Sequence, residues 1–132
     1  MEFFVKFFRK TALTPRQKTG NDGEKLAENF LKKRKKYKIL EKNWRHKSGE
    51  IDIIAQDGAV TVFVEVRARQ KNALVSGYFS VTKKKKSALK PVLEAYIGQN
   101  YLQFFRFDVI EIACDGSTRT LFHYENIPIF SG

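Results

Sequence analysis

With one cysteine, Cys114, the chain can build neither an internal disulfide framework nor a cysteine-based zinc finger, and a reducing compartment is implied. Long apolar runs are also missing. The opening stretch MEFFVKFFRK alternates Phe with Lys, too short and too interrupted for a membrane span. It lacks the apolar run and small-residue cleavage site of a secretory leader. The expectation is a cytoplasmic protein with no membrane span, in which residues 1–19 form a basic, aromatic arm; an interfacial helix or docking arm is the alternative. Acidic residues are scarce, 14 against 25 Lys and Arg, which leaves a net charge of +11. Such an excess opposes compaction by self-repulsion and asks for an anionic partner. Nucleic acid, DNA first, is the leading candidate, because each neutralised phosphate releases a counterion. Histidine is sparse as well: His46 and His123 lack ligand-like spacing and receive no catalytic role.

Aromatic and aliphatic residues are plentiful. A hydrophobic content of 42%, with 12 Phe and 5 Tyr in 132 residues, fills one core, and no repeat or linker divides the chain. A single domain over residues 20–132 is expected. Leu26, Ala27, Phe30 and Leu31 recur at helical spacing and predict a helix from Asp22 to Lys36, capped by Asn21 or Asp22. Strands are predicted over 37–44, 48–56 and 59–68, then a polar loop over 69–77. A second helical pattern from Val81 to Ile97 contains Pro91, so a kink or two short helices are expected. Strands over 103–113 and 120–125 complete the order α-β-β-β-α-β-β, an α/β fold with a mixed sheet flanked by helices.

The hairpin across Asp57-Gly58 carries the functional signal. A two-residue loop at that dipeptide pairs Gln56 with Ala59. One face then collects Ile51, Ile53, Ala55, Val60, Val62, Val64 and Val66. The other collects Glu50, Asp52, Ile54, Thr61, Phe63, Glu65 and Arg67, with Glu50 opposite Glu65 and Asp52 diagonal to it. Facing like charges cost up to about 1 kcal/mol, so three carboxylates in a basic chain invite an explanation. One is a divalent cation held by Asp52 and Glu65, since Mg²⁺ accepts one or two carboxylates plus water and phosphate. The plainer one is an amphipathic hairpin with a Glu65–Arg67 ion pair.

Basic residues flank this hairpin. Between Lys32 and Lys47 lie Lys32, Lys33, Arg34, Lys35, Lys36, Lys38, Lys42, Arg45 and Lys47, against the single acid Glu41. The second run is Lys83, Lys84, Lys85 and Lys86, continued by Lys90, and Arg69 lies between the runs. These are the candidate nucleic-acid contacts, with Tyr37 or Trp44 as stacking platforms for unpaired bases. Either run alone reads as a solvated face. Arg106 and Asp108 share a strand face and read as an ion pair; Cys114 reads as a small, semi-buried filler.

The segments NDGEKLAENFLKK, KNWRHKSGEIDIIA, VFVEVRAR, VTKKKKSAL and FRFDVIEI, in that order, resemble the YraN family of small bacterial proteins. That family is related to Holliday-junction resolvases within the restriction-endonuclease-like PD-(D/E)-x-K superfamily. GEID followed by FVEV-x-x-R is the specific part. The resemblance implies a restriction-endonuclease-like core and a Mg²⁺- or Mn²⁺-dependent endonuclease acting on branched DNA. Asp52 and Glu65 would be the metal-binding acids, aided by the Val66 carbonyl, and Glu24 the acid of the first helix. Glu50, on the same hairpin face, is a candidate accessory acid from the hairpin pattern alone. Glu24 shares a helical stripe with Ala27 and Leu31, although a capping carboxylate would occupy the same position. Resolvases act as symmetric dimers, which implies a homodimer through strand 103–113 or 119–125. Arg67 departs from the superfamily lysine. It can clamp a phosphate and stabilise transition-state charge but keeps its proton, so a non-cleaving binding module is the rival reading. A protein-interaction factor docking through the N-terminus or the NIPIF segment is the third.

Overall fold

The computed structural model describes residues 23–47, 49–70 and 82–130, and the backbone of residues 2–8. Asn21 and Asp22, most of the N-terminal arm and the 71–77 loop lie outside the described residues. Strand β1 spans Glu2–Phe8, helix α1 Gly23–Lys33, β2 Lys38–His46, β3 Gly49–Asp57 and β4 Val60–Gln70. Helix α2 spans Lys83–Asn100, β5 Phe105–Asp115 and β6 Thr118–Tyr124. From α1 onward this is the expected order and a restriction-endonuclease-like core. The addition is β1: residues 2–8, expected as an arm, run antiparallel to β6 and widen the sheet to six strands, β1-β6-β5-β4-β3-β2. Consequently β5 and β6 are both internal. The dimer edge expected at 103–113 or 119–125 is taken by neighbouring strands, and the described edges are β1 and β2.

Only β4 and β5 run parallel, joined by the α2 crossover. One helix covers each face. Leu26, Ala27, Phe30 and Leu31 of α1 pack with Ile53, Ala55, Val62, Val64, Ile110 and Ile112. Leu89, Val92, Leu93 and Tyr96 of α2 pack with Ile54, Phe63, Phe107 and Val109. The residues of β4 therefore alternate between two buried faces, as a central strand requires. Ile127 and Ile129 are buried on the α2 side, and the Ile127 amide donates to the Phe107 carbonyl at 2.7 Å. Ile127 and Ile129 of the NIPIF segment are thus built into the chain's own core.

Three local features depart from expectation. Helix α1 stops at Lys33, because Lys36 adopts a left-handed φ of 62° and the Tyr37 amide turns back to the Leu31 carbonyl at 2.9 Å. Helix α2 runs unbroken through Pro91. Pro91 and Ser87, whose carbonyl loses its donor, are both exposed, so water can satisfy that acceptor. The β3–β4 hairpin turns at Gly58-Ala59, with Asp57 opposite Val60, rather than at Asp57-Gly58. Gly58 has φ +60° and Ala59 is not left-handed, the pattern of a type II′ turn, which places glycine first in the loop.

Candidate active site

That turn slides the register by two residues. Ile53 faces Val64 and Gln56 faces Thr61, so continuing the register sets Asp52, not Glu50, against Glu65 and brings Glu50 level with Arg67. The regular ladder ends at Ile53↔Val64, although both strands continue. The next amide is captured by a side chain: Val66 N–H donates to Asp52 Oδ2 at 2.8 Å. Strict alternation fails here too, because Ile51 packs on the α2 side with Ile54 while Ile53 packs on the α1 side. The expected face with Ile51 and Ile53 together is corrected accordingly. β3 parts from β4 at Asp52, while β4 stays paired to β5 through Glu65↔Val109 and Arg67↔Glu111.

A cleft of about 550 Å³ opens at this parting. Glu24 reaches it from the first turn of α1, Glu50 and Asp52 from β3, Glu65 and Arg67 from β4, and Lys85 from α2. A smaller hollow of about 190 Å³ shares Glu24 and Asp52 with Lys25, Glu28 and Lys42. Glu65 is only 4% exposed, and Lys85 Nζ lies 3.2 Å from its Oε2. Burial, then the charge and hydrogen bond of Asp52, push the Glu65 carboxyl up to about 8, against the pull of Lys85. Burial and the charges of Asp52 and Glu50 also raise Glu24, against Lys42.

Asp52 and Glu65 thus form a carboxyl pair that, once both are ionised, carries more charge than one ammonium balances. With the Val66 backbone beside them the donor set is all oxygen, which fits a hard divalent cation such as Mg²⁺ or Mn²⁺. Glu24 stands outside the innermost set: Glu24, Asp52 and Glu65 do not lie mutually within 4.8 Å. Glu50 is engaged by Arg45, Nε to Oε2 at 3.1 Å.

The expected basic contacts are scattered. Glu24 and Lys32 sit at opposite ends of α1, about 12 Å apart along its axis, and Lys33, Arg34 and Lys36 lie beyond. Lys35 pairs with Glu125 at 3.5 Å and Lys42 with Glu28 at 3.2 Å. Arg69 is held by the buried Glu111 through two bonds of 2.6 and 3.3 Å. Lys38 and Lys47 are exposed along β2 and its exit, as are Lys83 and Lys84, and Lys86 is half-buried. Of the described lysines in the second run, Lys85 enters the cleft. Tyr37 is no stacking platform: it is buried, and its hydroxyl accepts from Arg106 at 2.6 Å and donates to Glu125 at 3.3 Å. Trp44 is half-buried, edge-on to Tyr96 at 5.2 Å.

Sequence reading missed a second charged assembly. Asp108 and His123 are both fully buried, with His123 Nε2 2.8 Å from Asp108 Oδ2. Arg106 grips Asp108 at 3.1 Å and reaches Asp57 and Glu125, each at 3.2 Å. Burial raises the Asp108 carboxyl, but hydrogen bonds from His123, Arg106 and the Asn126 amide outweigh it and leave it below its ordinary value. Asp108, His123 and Glu125 lie close enough to share an ion, yet Arg106 and Lys35 already supply the positive charge. This assembly ties β5, β6 and the C-terminal segment together. The Arg106–Asp108 pair was visible as a same-face spacing; His123 had no local signal.

Residues 23–112 match the uncharacterised protein family UPF0102, the family of YraN. The chain belongs to that family. A UPF0102 protein of Carboxydothermus hydrogenoformans is 40% identical over 114 residues, 85% of this chain and 96% of its own length. A UPF0102 protein of Caldicellulosiruptor saccharolyticus is 43% identical over 101 residues, 74% of this chain and 83% of its own. UPF0102 similarity thus covers the stretch from the first turn of α1 to β5, and every acid of the cleft falls inside it. Among the described residues, no helix is long and apolar enough to cross a membrane.

Proposed function

We propose that this UPF0102 protein is a Mg²⁺- or Mn²⁺-dependent endonuclease acting on structured or branched DNA. The observation that carries the reading is the Asp52–Glu65 pair, held face to face where β3 and β4 part, with Glu65 nearly sealed from solvent. Asp52 is positioned by the Val66 amide and Glu65 by its place in the β4–β5 ladder, so both carboxylates are fixed before any ligand arrives. These two residues would hold the cation. When bound, it supplies positive charge that polarises a phosphodiester and acidifies a water molecule. Glu24, whose carboxyl is raised by burial and by Asp52, is suited to hold or orient a water at the α1 side of the cleft. Arg67 lines the cleft and makes no ion pair among the described residues, leaving its guanidinium for a phosphate oxygen.

Arg67 also favours a second reading, a nucleic-acid-binding module of the same fold that does not cleave, because a guanidinium cannot act as a proton acceptor. Cleavage of a labelled four-way junction separates the two. Metal-dependent cutting by the wild type, abolished by Asp52→Asn with Glu65→Gln, is expected for the nuclease. Junction binding without cutting, unchanged in the double variant, would replace it with the binding module.

A further inference from the structure

Within the run of four lysines, Lys85 has a singular position. Helix α2 starts at Lys83, and the Oγ1 of its cap Thr82 accepts the Lys85 amide at 3.2 Å, fixing the Lys85 backbone in the first turn. Lys85 then falls four, seven and eleven residues before Leu89, Val92 and Tyr96, on the stripe that α2 buries. Lys83 and Lys84 face solvent; Lys85 is directed along the sheet to Glu65. Gly49 lets the middle of α2 lie close to β3. A Cβ there would collide with Val92 Cγ2, and the Ala88 carbonyl would lie 3.6 Å away.

The electrostatics of this turn are unusual. A helix N-terminus carries partial positive charge and favours acids, yet the first turn of α2 contains none, and lysines stand in their place. Dipole and lysines together demand anions, and the Asp52–Glu65 pair lies within reach of Lys85. The lysine stem is long and flexible, and the Lys85 side chain is 41% exposed, so its ammonium can swing while its backbone stays capped.

We propose that Lys85 exchanges partners: it lies against the Asp52–Glu65 pair and balances the pair's charge when no divalent cation is bound, and contacts the nucleic-acid phosphate when one is, serving as the cleft's mobile phosphate-binding cation beside Arg67. This rests on Asp52 and Glu65 being the metal ligands. A dication satisfies both carboxylates at once and leaves Lys85, which lines the cleft, without its anionic partner.

The test is amine acylation of the full chain followed by peptide mass spectrometry, with Lys83 and Lys84 as internal references. Without metal, Lys85 should react more slowly than either neighbour. Adding Ca²⁺ should raise its relative reactivity severalfold, and adding a short DNA duplex with Ca²⁺ should lower it again. Lys85→Gln should weaken duplex binding about tenfold in Ca²⁺ and leave binding in chelator within about twofold. Unchanged Lys85 reactivity while calorimetry registers Ca²⁺ binding would overturn the exchange and spare the metal reading. Equal losses of affinity with and without Ca²⁺ would overturn it too. No Ca²⁺ binding at all would remove the metal reading, and the exchange with it.

Discussion

At the scale of residues, burial and the neighbouring Asp52 make the Glu65 carboxyl a pH-sensitive element of the metal-free protein. Its folded pKa, about 8, lies above the ordinary value of 4.5, so the protonated form is the one the fold prefers. The stability linked to this group is fully present below about pH 4.5 and is lost as pH rises through 8. Glu65→Gln should therefore raise the melting temperature of the metal-free protein above pH 8, by roughly 4 °C for each kcal/mol recovered. At pH 4.5 it should change little, and a melting series across pH checks both limits. Asp108 has the opposite sign. Its carboxylate accepts hydrogen bonds from His123, Arg106 and the Asn126 amide, and Asp108→Asn removes the charge that strengthens them, while Arg106 keeps Asp57 and Glu125. A loss of about 1.5–3 kcal/mol in urea unfolding is expected. The difference in legibility between these two residues is physical. Glu65 announced itself because a carboxylate on a β-strand face beside Phe63 and Ile54 is costly without a partner. His123 meets Asp108 only through the β5–β6 register, which no local pattern encodes.

At the scale of elements, strands and helices followed from periodicity, while their joints did not. The two-residue period placed Val62, Val64, Ile53 and Ala55 on one buried face correctly, since a slip of two residues preserves every face. It could not choose between Asp57-Gly58 and Gly58-Ala59 as the turn, and that choice decides whether Glu50 or Asp52 meets Glu65. Nor could it show β3 breaking alternation at Asp52, because the cause is the parting of two strands. Helix α2 packs Val92 directly over Gly49 of β3, where no side chain fits. Gly49→Ala should cost about 1–3 kcal/mol through overpacking against Val92. It should also lift Lys85 away from Glu65, which acylation of Lys85 in the metal-free variant would register as faster labelling.

At the scale of the whole molecule, a net charge of +11 surrounds a cleft built of acids. The two lysine runs were legible as anion-seeking surface, but their placement was not. The first run divides, with Lys32–Lys36 at the far end of α1 and Arg45 beside Glu50. Binding of DNA should accordingly be strongly salt-dependent, with the logarithm of affinity falling linearly against the logarithm of salt concentration. Replacing Lys83 and Lys84 by Ala should reduce that slope by about 2, close to one unit for each phosphate no longer neutralised. Calorimetric titration of Mn²⁺ into the full chain tests whether Asp52 and Glu65 share a divalent cation. One equivalent bound by the wild type, and lost in both Asp52→Asn and Glu65→Gln, is the predicted result. Equal binding by all three proteins, or no binding by the wild type, would contradict it.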